Sequence, residues 1–271
     1  MKLDTAIAVL GAGKLGETLV RGLIDAGRID AARVTVTAAH RERPERLAKE
    51  LGVRTAASNR EAVKGAGLVI LSVKPQQVGA VLDDVRGVLD PKQLLVSVAA
   101  SVGTAFIESK LSGPVPVVRA MPNTPALIRR GMTAIAPGTH AREEHLRLAN
   151  GIFDAVGRTV VVDEKHMDAI TGLSASGPAF IYIVIESLAE GGVKAGLPRE
   201  LATELAAQTV LGAGAMVIET GQHPAMLKDQ VTTPAGCTID GIIKLEEGGL
   251  RVTLIKAVVE AALRAKQLIA G

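Results

Sequence analysis

The stretch Ala6-Ile7-Ala8-Val9-Leu10-Gly11-Ala12-Gly13-Lys14-Leu15-Gly16 decides the fold. Its apolar run predicts a buried strand, G-x-G-x-x-G follows without a gap, and Leu19, Leu23 and Ile24 continue at helical spacing. Strand, glycine turn and helix in that order open a dinucleotide-binding unit. Gly11 permits the tight turn, Gly13 lets the backbone approach a pyrophosphate, and Gly16 lets the helix pack on the strand. The helix N-terminus then offers free N–H groups to the anion. On spacing alone, a glycine-rich turn in some other α/β domain stays open.

Outward from this stretch, apolar runs at 7–10, 33–37, 68–73, 94–98, 115–119 and 133–136 alternate with helical segments, which predicts a mainly parallel sheet. From about Lys165 the pattern changes to long Ala/Leu/Ile-rich segments of helical period, at 178–195, 198–220 and 250–270. Pro178 and Pro198 mark first turns, and Gly196 and Gly221 mark ends. The expectation is an α/β chain: a Rossmann-type dinucleotide-binding domain over 1–164, then an all-helical domain over 165–271. So much small apolar surface in the helical part favours interlocked dimers over a self-contained bundle.

At 271 residues the chain is long enough for two domains, and 48% apolar residues suit an aliphatic core. With the first strand expected so early, neither a signal peptide nor an apolar run of membrane-spanning length is expected. One cysteine, Cys237, excludes an internal disulfide and suits a reducing, cytoplasmic setting. A net charge of +3, with dispersed Lys and Arg, gives no nucleic-acid surface and suits an anionic cofactor.

The second strand ends Val36-Thr37-Ala38-Ala39-His40-Arg41, without the carboxylate that bonds the ribose of NAD. His40 stands there, and Arg41 or Arg43 offers a bidentate partner to a 2′-phosphate, so NADPH is expected, with NADH as the alternative. A solvated helix start explains Arg41 and Arg43 equally. Three turns end later strands: Val73-Lys74-Pro75, Val98-Ala99-Ala100-Ser101 and Met121-Pro122-Asn123-Thr124-Pro125. Together they predict a cofactor groove at one sheet edge, with Pro75, Ala99 and Asn123 among its candidates.

The five histidines lack metal-ligand spacing, cysteines do not cluster, and no G-x-S-x-G occurs, so no metal is expected. Two polar, glycine-containing segments precede helices, at 171–179 and 229–238. Their hydroxyls, Ser174 among them, and helix-start amides suit a small carboxylate. Simple helix capping explains them as well.

T-G-L-S-A-S-G-P-A-F at 171–180 and L-K-D-Q-V-T-T-P-A-G-C-T at 227–238 closely resemble the Δ1-pyrroline-5-carboxylate reductase family. V-K-P-Q at 73–76, M-P-N-T-P-A at 121–126 and G-G-V-K-A-G-L-P at 191–198 stand in the family's order, so the resemblance runs along the whole chain. It implies hydride transfer from NAD(P)H to the C=N carbon of 1-pyrroline-5-carboxylate, giving L-proline. By that resemblance Gly11, Ala12, Gly13, Lys14, Leu15 and Gly16 hold the pyrophosphate, while Asn59, Val73, Lys74 and Ala100 line the groove. It places the substrate against Glu164, Gln230, Cys237 and Thr238, with amides from Thr233 through Gly236 to Thr238 on its carboxylate. Thr238 is the catalytic candidate, bonding the imine nitrogen, and Glu164 favours the protonated imine electrostatically.

The resemblance also implies a pocket at the interface of a homodimer, and larger rings such as a decamer of five dimers. Gln230 replaces an Asn found in many relatives, and Cys237 replaces a small Ala or Thr. Two rivals are a β-hydroxyacid dehydrogenase or related imine reductase, whose G-x-x-x-K-x-x-x-N lysine setting is missing at Lys194 and Lys228, and a non-catalytic NADP-binding protein, which the intact threonine loop opposes.

Overall fold

A computed structural model of the chain describes residues 3–267. Through the first part the order is β1 (Ile7–Leu10), α1 (Lys14–Asp25), β2 (Val34–Thr37), α2 (Glu42–Leu51), β3 (Arg54–Thr55), α3 (Asn59–Val63) and β4 (Leu68–Leu71). Then come α4 (Val78–Val85), β5 (Leu94–Ser97), α5 (Thr104–Lys110), β6 (Val117–Met121), β7 (Gly131–Pro137), α6 (Glu143–Phe153) and β8 (Gly157–Val161). The rest is helical: α7 (Met167–Ile170), a π-turn (Thr171–Ala175), α8 (Gly177–Lys194), α9 (Arg199–Thr220), α10 (Pro224–Val231), α11 (Cys237–Glu247) and α12 (Leu250–Gln267). The final helix was expected to reach Ala270, and residues 268–270 lie outside the described ones.

Among the described residues eight strands form one sheet in the order β3-β2-β1-β4-β5-β6-β7-β8. All pairings are parallel except β6 with β7. The order reverses between β1 and β4, which makes the carboxyl edge there a ligand crevice. Alternate residues of β1 feed two cores. Ile7 and Val9 join Leu19, Leu23, Ile152 and Phe153, whereas Ala8 and Leu10 join Val69, Leu82 and Ile107. Burial on both faces is why the central strands read as continuous apolar runs.

Two strands escape a reading of apolar runs. β3 is two exposed residues, and β8 is a largely exposed edge strand containing Arg158 and Thr159. β6 also sits two residues later than expected, because Val115 and Pro116 precede the ladder.

Contacts divide the described chain into a sheet unit, running to Ala175 and including residues from Ala261 onward, and a helical unit, Ser176–Glu260. Pro178 lies in the first turn of α8, while Pro198 is the N-cap of α9 rather than inside its first turn. Gly221 closes α9 in the left-handed conformation, and Ala195 caps α8 just before Gly196. α8 and α9 pack through small residues, with Ala189, Ala202 and Ala206 buried. Their larger residues face outward: Tyr182 is 60% exposed and Leu211 59%.

The expectation of no apolar stretch of membrane-spanning length does not hold. Two helical stretches, Glu164–Lys194 and Arg199–Thr220, are long and apolar enough to cross a membrane by length and composition. Scattered Gly, Ser and Glu residues break up the apolar run in the sequence, yet the mean hydropathy of the folded helices remains high.

Candidate functional site

Backbone geometry builds the glycine loop as the spacing requires. Gly11 has φ +106°, and a Cβ there would lie 2.5 Å from the Ser72 carbonyl oxygen. A Cβ on Gly16 would overlap the Gly11 carbonyl oxygen. The Gly11 and Ala12 amides donate to Thr37 O at 3.0 and 2.8 Å, which pins the loop to the end of β2. Gly13 is the N-cap of α1 with no side chain capping it, so the first-turn amides are left for an anion.

Beside the loop runs a groove of about 670 Å³ whose lining includes Gly13, His40, Arg43, Asn59, Lys74 and Asp84. Gly11, Ala12 and Val73 line it as well. Asn59 is oriented by two bonds: Thr37 Oγ1 donates to its Oδ1 at 2.7 Å, and its Nδ2 donates to Asp84 Oδ2 at 3.1 Å. Three cationic or basic side chains, a helix start and a wall of small residues fit a phosphorylated dinucleotide. Of the two arginines weighed from sequence, Arg43 lines this groove. Arg41 is the exposed N-cap of α2 and stands outside the lining. Lys14, Leu15 and Gly16 begin α1, Pro75 begins a short 3₁₀ turn, and none of the four lines the groove.

The turns after β5 and β6 are occupied by protein contacts. Ala99 is buried, and Ala100 packs against a cluster of Met121, Ala134, Ala136 and Met167. Neither lines the groove, and neither does Asn123. Asn123 Oδ1 accepts the Met132 N–H at 2.9 Å, and its Nδ2 donates to Ser174 O at 3.2 Å. The residue therefore clamps β7 to the π-turn that carries Ser174. Glu164 accepts from Thr104 N at 2.8 Å, from Thr104 Oγ1, and from Arg119 Nη1 at 3.2 Å. Its charge is thus shared with a buried guanidinium that sequence reading passed over. The available signal was a lone cation inside the apolar run Val117-Val118-Arg119-Ala120-Met121.

In the helical unit the threonine loop is one tight turn. Gly236 N donates to Thr233 O at 3.0 Å, and Ala235 takes φ +57°, a conformation costly for a residue with a Cβ. The turn delivers the chain into α11, whose N-cap is Gly236 and whose start no side chain caps. Cys237 and Thr238 are its first two residues, with Cys237 exposed. The structure thus brings Thr233, Gly236, Cys237 and Thr238 together around free helix-start amides. Gln230 lies at the end of α10, where its Nε2 donates to Gln222 Oε1 at 2.9 Å.

Residues 6–101 match the family model described as NADP oxidoreductase, coenzyme F420-dependent, and residues 164–268 match that for pyrroline-5-carboxylate reductase dimerisation. The second match contains both helical stretches of membrane-crossing length, so their outward apolar residues belong to a dimerisation domain. A pyrroline-5-carboxylate reductase of Arabidopsis thaliana is 44% identical, the match covering 97% of this chain and 95% of that protein. The structure of a pyrroline-5-carboxylate reductase from Coxiella burnetii superposes with a TM-score of 0.92 at 37% identity, covering 98% of this chain and 99% of that one. A Plasmodium falciparum pyrroline carboxylate reductase with NADP bound superposes at 0.89 with 29% identity, covering 99% and 100%. The first half is accordingly an NADP-binding Rossmann-like domain. With sequence identity near full length joined to the same fold, the chain belongs to the pyrroline-5-carboxylate reductase family, NAD(P)H oxidoreductases that form L-proline from 1-pyrroline-5-carboxylate.

Proposed function

We propose that this reductase takes its hydride from NADPH in preference to NADH, and that Thr238 is the group bonded to the imine nitrogen. The observation that carries the substrate half is the strained Thr233–Gly236 turn opening an uncapped α11 with Thr238 in its first turn. The cofactor, when bound, supplies the hydride to the C=N carbon. Gly11, Ala12 and Gly13 cradle its pyrophosphate with the first turn of α1, Lys14, Leu15 and Gly16, behind them, and Arg43 with His40 takes the 2′-phosphate in place of Arg41. Asn59, Val73 and Lys74 continue that wall, and Pro75 fixes the turn that presents Lys74. Ala99, Ala100 and Asn123 shape the nicotinamide end from behind, through packing and through the clamp on the π-turn.

The substrate carboxylate is held by amides of the Thr233–Thr238 turn, with Gln230, Cys237 and Ser174 as further substrate contacts. A threonine hydroxyl is far too weak an acid to give up its proton outright at neutral pH, so Thr238 orients the nitrogen and passes a proton from water. Glu164 favours the protonated imine, tempered by the Arg119 cation beside it. Carbon receives the hydride, nitrogen holds the proton, and the C=N double bond becomes the amine of proline.

The working unit is a homodimer, and a decamer of five dimers is the larger assembly that sedimentation of the purified protein checks. We set the domain limits at 1–164 and 165–271; a dimerisation match starting at residue 164 supports them, whereas the contact division falls at Ala175 and Ser176. The lone Cys237 suits a cytoplasmic, reducing setting.

Initial rates of NADPH and NADH oxidation with 1-pyrroline-5-carboxylate test both halves. Losing one hydrogen bond to a charged group should cost Thr238→Ala about 10- to 100-fold in kcat. Arg43→Ala should raise KM for NADPH about tenfold and leave KM for NADH unchanged. Wild-type kcat in the first variant, or equal shifts for both cofactors in the second, overturns the corresponding assignment.

A further inference from the structure

We infer that Arg119 is a positioning residue for hydride transfer: through Glu164 and Thr104 it holds the strained loop of residues 98–103 that supports the nicotinamide end of the groove. The inference rests on the reading of Ala99 and Ala100 given above. Arg119 lies in the middle of β6, opposite Ser97 of β5 and Ala136 of β7, and is 3% exposed. Burying a guanidinium there carries a large desolvation penalty, and its pairing recovers only part of that. Nη1 bonds Glu164 Oε1, whereas Nη2 stands 3.7 Å from Asp168 Oδ1. Among the described residues Nε, Nη2 and Asp168 Oδ1 are buried without a hydrogen-bond partner. An apolar side chain of similar volume would pack this strand at lower cost, so stability alone does not account for the arginine.

The contacts do account for it. Glu164 passes the constraint to Thr104 through two bonds, one to the amide and one to the hydroxyl. Thr104 is the first residue of α5 and ends the loop that leaves β5. Within that loop Ser101 holds φ +61° with its Oγ buried and unpaired, a conformation that persists only when its surroundings impose it. The other arm reaches Asp168 on α7, one turn before the π-turn that Asn123 clamps. A single buried cation therefore fixes two segments that leave the sheet, and a displacement of about 1 Å at a reacting centre is enough to cost 100-fold in rate.

The experiment measures kcat, KM for NADPH and thermal midpoint for R119K, R119Q, T104V and the double variant R119K/T104V, beside NADPH titration of A100L. Misplacement of the loop predicts a kcat lower by roughly 100-fold in R119Q, with KM for NADPH raised several-fold, and partial recovery in R119K, which keeps the cation. T104V should lower kcat by about tenfold, and the double variant should be no worse than the poorer single, because both act along one chain of contacts. A purely structural role would lower the thermal midpoint and leave kcat per folded site intact. Wild-type kcat and KM in folded R119Q, or R119K and T104V effects that multiply, overturn the inference. If R119Q does not fold, the R119K/T104V cycle decides. Unchanged NADPH affinity in A100L removes the loop from the cofactor site and the inference with it, while weakened affinity with a multiplicative cycle overturns Arg119 alone.

Discussion

The sheet unit and the helical unit bury their apolar residues by opposite strategies. In the sheet unit β1, β4 and β5 are buried throughout, and two cores lie on opposite faces of the sheet. In the helical unit the buried core consists of Ala189, Ala202 and Ala206, with Ile185 and Val193 partly covered. Leucines and isoleucines of α9 and α12, such as Leu211 and Ile255 at 59% and 58% exposure, face outward instead. A chain this apolar does not leave such faces in water, so the sheet unit carries its stability internally and the helical unit takes it from association.

Four changes separate the two. The largest effect is expected for Leu211→Glu, which puts a charge on the outward face of α9 and should cost about 3–5 kcal/mol of association. Sedimentation should show monomer where the parent is dimeric, and the melting midpoint should lose its dependence on protein concentration. Phe153→Ala, at a side chain with no exposure, should destabilise the sheet unit by about 3–5 kcal/mol in denaturant while the protein still sediments as a dimer below its melting range.

A smaller effect follows from Gly16→Ala, whose added carbon displaces the Gly11 carbonyl. NADPH affinity should weaken about tenfold, roughly 1.4 kcal/mol, with sedimentation unchanged. The smallest concerns Glu17 on α1, which bonds Arg46 of α2 at 2.5 Å and Arg21 at 2.9 Å. Arg46 first, then Arg21, hold its carboxyl below the ordinary 4.5. A lowered folded-state value means the bridge stabilises fully above the ordinary range and is lost as pH falls through the lowered one. Unfolding free energies of the parent and Glu17→Gln should therefore differ by under about 1 kcal/mol above the ordinary carboxylate range and converge as pH falls through the lowered value, which denaturant titrations across pH check.

The sheet unit was largely legible because burial on both faces writes strands as unbroken apolar runs. β3 and β8 were not, since edge strands with exposed Arg and Thr carry no such run. The glycine loop was legible because backbone contact at Gly11 and Gly16 excludes side chains. That Arg43 and not Arg41 lines the groove was not, because it depends on where α2 begins in space. The Asn123–Ser174 bond and the Arg119–Glu164 pairing join residues 51 and 45 positions apart, and no local pattern encodes such pairs.

The sequence contains one tyrosine and no tryptophan. That tyrosine, Tyr182, sits on the outward face of α8, 60% exposed, while the sheet unit has none. Intrinsic emission from this protein is therefore a one-channel optical signal belonging to the helical unit. Tyr182 emission followed on dilution tests whether a partner covers this face of α8, and unfolding confined to the sheet unit passes dark. The nearly silent background also leaves the dihydronicotinamide's own fluorescence free to report the cofactor groove, so one unlabelled sample can be read at two wavelengths for two separate events.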